Sequence, residues 1–130
     1  MFLFEYPNIV NIQGDDKMAN LAKYRYTTGP ISISEFINNI RILVLNNGAK
    51  KHKARVRIFN LDPKPKKEVF DETFTITANS KIQTEFIPMF NAFEVQILTD
   101  SPRILIWVGG RSGNENLEGN IILHKDLVRF

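Results

Sequence analysis

Cysteine does not occur in the chain. Disulfides and thiolate metal sites are therefore excluded, although the compartment is not fixed by that absence. No apolar run approaches the roughly 20 residues needed to cross a bilayer as a helix. The marks of a secretory signal are missing as well, because no Lys or Arg precedes Lys17. Glu5, Pro7 and Asn8 also interrupt the first apolar stretch. Signatures of chemistry are equally scarce: there is no HExxH, GxSxG, Walker loop or EF-hand loop. The two histidines, His52 and His124, stand far apart, each without a ligand at metal-binding spacing. Asp71–Glu72 and Asp15–Asp16 are adjacent carboxylates, and neighbours on a strand point to opposite faces, so neither pair converges on one bond. The reading is of a non-enzymatic protein with no catalytic residues, no metal site and no cofactor.

What the chain does have is apolar content in strand-like order. Its hydrophobic fraction is 43%, including ten Phe, which indicates a packed domain rather than a disordered segment. At 130 residues, one domain is expected. Period-two alternation recurs, broken by turn chemistry. Ile31 and Ile33 lead into IRILVLNNG, whose Asn46, Asn47 and Gly48 tolerate the positive φ of tight turns. In KARVRIF, Ala54, Val56 and Ile58 share one face while Arg55 and Arg57 share the other. Phe70, Phe74, Ile76 and Ala78 run in phase against Asp71, Thr73, Thr75 and Thr77. Phe93, Val95 and Ile97 alternate with Glu94 and Gln96. The run ILIWV reads as a central strand covered on both faces, or as one covered by a partner chain. GGRSGNENLEGN reads as a wide hairpin loop before a last strand within IILHKDLVRF. Only SEFINNIRIL allows a single helical turn. The pattern predicts an all-β, single-domain, jelly-roll-like β-sandwich of about 7–9 antiparallel strands.

The first residues stand apart. MFLFEYPNIVNI alternates Phe2, Phe4 and Tyr6 with Leu3 and Glu5, and the polar stretch QGDDKMANLAK follows. Residues 1–22 are read as an N-terminal strand-forming arm and linker, and residues 23–130 as the sandwich. Phe2, Leu3, Phe4, Tyr6, Ile9 and Val10 are the candidate assembly residues. An arm so apolar needs burial, either as an edge strand of its own domain or on a neighbour. Met18 is a second candidate start.

Net charge is +3, unevenly spread. Lys50, Lys51, Lys53, Arg55, Arg57, Lys64, Lys66 and Lys67 form a basic stretch with a single acid, Asp62. Such a face attracts polyanions, or it keeps an edge strand solvated. With only Phe59 among its basic residues, it lacks the interleaved aromatics of a nucleic-acid surface, so no nucleic-acid partner is expected. Tyr24, Tyr26 and Trp107 are candidate ligand contacts for a carbohydrate or another surface polymer.

The residues FEVQILTDSPRILIWVGGRSGNENLEGNIILHKDLV carry a resemblance. An aromatic–Glu–Val–Gln–Ile strand, a D-S-P turn, an apolar strand ending in Gly and a closing H-K-D-L strand follow in that order. Over residues 54–130 this resembles small all-β proteins of spore-forming Firmicutes, similar in style to spore-surface and endospore-appendage subunits. The resemblance implies a jelly-roll subunit that assembles through an N-terminal arm. It also implies synthesis in the mother-cell cytoplasm and a place on the spore surface. Lacking cysteine, this chain would make non-covalent contacts, with Phe2, Leu3, Phe4, Ile9 and Val10 carrying them. The expected function is a self-assembling structural subunit and homo-oligomer, with no membrane partner. A carbohydrate-binding module and a phage or virus structural protein are the alternatives.

Overall fold

A computed structural model of the chain describes residues 23–33 and 39–130, with only the backbone of Glu118. The arm residues Phe2, Leu3, Phe4, Tyr6, Ile9 and Val10 lie outside the described residues, as do residues 34–38 of SEFINNIRIL, the one stretch that allows a helical turn; its remainder is strand. Ten strands are present among them: β1 Tyr24–Thr27, β2 Ile31–Ser32, β3 Asn39–Asn46, β4 His52–Asn60 and β5 Lys67–Ile76. The others are β6 Ser80–Phe86, β7 Ala92–Thr99, β8 Ile104–Ser112, β9 Glu115–Leu123 and β10 Val128–Arg129. A single 3₁₀ turn, His124–Asp126, precedes β10. The count exceeds the expected 7–9 because β2 and β10 have two residues each, too short to show alternation.

The strands form two antiparallel sheets. One runs β9-β8-β3-β6, and the other runs β10-β1-β7-β4-β5 with β2 also on β7. Between β3 and β8 the chain winds as in a jelly roll, with β3 beside β8 and β4 beside β7. One place differs. A regular jelly roll puts a strand that precedes β1 on the far side of β8, and here β9 holds that place through its hairpin.

The core lies between the sheets. Ile40, Ile42 and Val44 face Val56, Ile58, Val95 and Ile97, all with essentially no exposed surface. Alternation dictates this, since successive strand residues point to opposite faces. Asn46-Asn47-Gly48 does not make a hairpin: β3 and β4 lie in different sheets. Among the described residues positive φ occurs at Gly29, Asn79 and Gly113 instead. Asn46 acts through its side chain. Its Nδ2 donates to the carbonyls of Lys50, Ile76 and Thr77 at 2.8, 2.9 and 3.2 Å, and its Oδ1 accepts from Gly48 N–H. GGRSGNENLEGN is likewise no wide loop. Strands β8 and β9 run through most of it, joined across Gly113 and Asn114, and Gly113 supplies the left-handed φ of +59° that the tight reversal uses.

Candidate interaction face

The outward face of the β7 sheet does not present the basic stretch as a field of free cations. Arg55 donates to both oxygens of Asp71 at 2.8 and 2.6 Å. Arg57 pairs with Glu68, and Lys66 with Glu94 at 2.7 Å. The acids come from β5 and β7, out of sight of a reading confined to residues 50–67. Arg55 thereby holds the Asp71 carboxyl below the usual carboxylate range. Glu94 is 8% exposed in mid-sheet. Burial alone would raise its carboxyl. Hydrogen bonds from Lys66, Thr27 and Gln96 outweigh that and hold it below its ordinary value. Lys66 and Arg57 also lie over the Phe59 ring, at 4.6 and 4.9 Å from its centre.

The three candidate ligand aromatics are not brought together. Tyr26 is buried in the core, with its ring 4.9 Å from that of His124. Tyr24 is half-buried beside Lys23 and Arg129. Both belong to β1. Trp107 is on β8, in the opposite sheet. YRY is therefore the rim of the core rather than a binding strip. The histidines stay separate too: His52 meets Asp100 at 3.2 Å, whereas His124 Nδ1 accepts from Ile106 N–H at 3.3 Å. Burial lowers the pKa of His124, in keeping with a nitrogen used as an acceptor. No group of three or more His, Asp or Glu converges among the described residues.

What the fold does assemble is an outward face on the β9-β8-β3-β6 sheet. Ile104, Ile106 and Val108 of β8 turn inward and are buried, so Leu105 and Trp107 turn outward. Register sets Leu105 opposite Leu45 and Trp107 opposite Leu43 on β3. On the other side Leu123 of β9 stands opposite Trp107. Leu45, Leu105 and Leu123 are 37%, 38% and 42% exposed, which makes this a continuous apolar patch rather than scattered single residues. A depression of about 440 Å³ sits among Leu43, Leu45, Leu105, Trp107, Asn79 and Lys81. The tip of the indole lies over Gly109, where a Cβ would stand 2.3 Å from Cη2. Only glycine at that position lets the ring lie down along the strand.

Beyond Gly109 the same face turns polar. Arg41 and Glu85 form an ion pair at 2.7 Å, and Asn39 and Gln83 donate to the same carboxylate. Arg41 holds Glu85 below the ordinary carboxylate range. Arg111, 9% exposed, donates from Nη2 to the carbonyl of Asn114 at 2.6 Å. Its Nε has no hydrogen-bond partner among the described residues. The face thus has an apolar half and a paired, polar half. Of its apolar members, the sequence pattern had singled out Trp107 alone. The signal was read in part: ILIWV, which holds Leu105, stood out as apolar in both phases, and LVL of β3 carries the same sign, with Leu43 and Leu45 in the outward phase.

The described residues thus define an all-β, jelly-roll-like sandwich whose most distinctive surface is this outward face. No protein-family model matches the chain, and no curated protein matches it. Among solved structures it is similar to the Anabaena sensory rhodopsin transducer, at 17% identity and a TM-score of 0.49, over 67% of this chain and 95% of that one. It is also similar to protein 1070 of Thermotoga maritima, at 11% identity and a TM-score of 0.53, over 82% and 90%. The second likeness shows a shared fold alone. No helix among the described residues is long and apolar enough to cross a membrane.

Proposed function

We propose that the protein is a non-enzymatic structural subunit that self-associates through the outward face around Trp107. The observation that carries this reading is the patch itself, with exposed Leu45, Leu105 and Leu123 beside half-buried Leu43 and Trp107 on one sheet face. Leaving such a surface in water is unfavourable by roughly 25 cal/mol for each Å² of apolar area, and pairing two copies removes that penalty from both. The setting is the one implied by the resemblance over residues 54–130, a spore or cell surface.

Light scattering on eluting protein tests the reading. The full chain is expected to be a dimer or larger, and Leu105→Glu to be monomeric with unchanged thermal stability, because that side chain is outside the core. A monomeric full chain at all concentrations overturns it. A second reading is favoured by one observation, the indole laid along the strand over Gly109. A ring held that way is a stacking platform for a sugar, and Tyr24 and Tyr26 play no part in it. Retention on an insoluble polysaccharide that is lost in Trp107→Ala would support this module instead.

A further inference from the structure

The geometry points to residues 2–12 of this chain as the segment that covers the apolar face around Trp107. Four observations converge. First, the place beside β8 that a strand preceding β1 takes in a regular jelly roll is held by β9. The first segment therefore has no edge reserved for it at β8. Second, the described chain begins at the correct end of the sandwich. Tyr24 pairs with Thr99, the last residue of β7, and the chain turns there into Ile104 and Leu105, where the apolar half of the face begins.

Third, the lengths fit. Extended chain covers about 3.3 Å per residue, so residues 13–23 could reach up to roughly 36 Å, ample to round the end of a sandwich whose sheets are about 10 Å apart. Residues 2–12 extend about as far again, enough to run the length of β8. Fourth, the chemistry is complementary. Phe2, Leu3, Phe4, Ile9 and Val10 would meet leucines and an indole. Glu5 is the one charged side chain in residues 1–14, and Lys81 borders the depression.

The inference concerns what covers the face. It stands whether the segment comes from the same copy or the next, and so can fail or hold separately from self-association. Trp107 is the only tryptophan in the chain, which makes its emission a direct reading of coverage. Tryptophan fluorescence and acrylamide quenching would be compared among three proteins: the full chain, a version lacking residues 1–17, and full-length Phe4→Asp. A synthetic peptide of residues 1–12 would then be titrated into the truncated protein. Both altered proteins should emit at longer wavelength, with quenching raised roughly twofold as neighbouring apolar atoms leave the ring. The peptide should reverse the shift in a saturable way. Phe4→Asp guards against misfolding on truncation, and circular dichroism on all three should show unchanged strand content. Identical emission in all three proteins, or no response to the peptide, overturns the inference. Light scattering on the same samples separates the readings. A full-length monomer with a covered Trp107 upholds the segment and sinks self-association. An oligomer whose emission ignores the truncation does the reverse.

Discussion

Asn46 has no exposed surface, and every polar atom of its amide is used. The side chain ties the end of β3 to the approach to β4 and to the turn between β5 and β6. The bond to Ile76 is buried and those to Lys50 and Thr77 are part-buried. Asn46→Ala is therefore expected to cost about 2–4 kcal/mol, the sum of lost bonds and carbonyls left unsatisfied. Urea unfolding followed by circular dichroism would measure it, and a loss below about 1 kcal/mol would contradict this account. The sequence marks Asn46 as a turn former, which is true of its address and wrong about its means. What it holds lies thirty residues away in sequence, and no local pattern carries that. Gly109 is similar: nothing in VGG announces that an indole two residues earlier needs the room.

Single strands were the most legible level. Ala54, Val56 and Ile58 face inward as alternation requires, and so do Phe93, Val95 and Ile97. The opposite phases were harder, because their surroundings come from other elements. Glu94, Gln96 and Leu98 are outward on β7 and still buried, and the basic residues of β4 find their acids on β5. Those pairs lie at the surface, with Arg55 and Asp71 side chains 23% and 35% exposed. Solvent screening makes such a pair worth little. A double-mutant cycle of Arg55→Ala and Asp71→Ala should give a coupling of about 0.2–1 kcal/mol at low salt, shrinking in 1 M NaCl. A coupling above about 2 kcal/mol would mean the pair is sealed from water by something further.

For the molecule as a whole, pH should act in two windows. His124 is held below the ordinary histidine value by burial, so the folded state binds fewer protons than the unfolded chain. Its contribution is complete above about pH 6.5 and is lost as pH falls through the folded value. The carboxyls of Glu94, Asp71 and Glu85 are depressed too, so their contribution is complete above about pH 4.5 and disappears below it. Melting temperature should thus be flat near pH 8, decline once below about 6.5, and again below about 4.5. His124→Gln should erase only the first decline, and a first decline that survives the substitution would exonerate His124. Strand order was the least legible level, since alternation says which face a residue takes and nothing of its neighbour strand. That order has a consequence during synthesis. Among the described residues, only β4–β5 and β8–β9 are hairpins of consecutive strands. Tyr24 waits for Thr99, and β4 waits for the same strand. A ribosome would release β1 through β6 with most of one sheet still lacking its central member, so β7 is the strand whose arrival lets the sandwich close. Nascent chains that stop before residue 99 would then carry apolar strands with nowhere to go, and handling by chaperones should fall sharply once that point is passed.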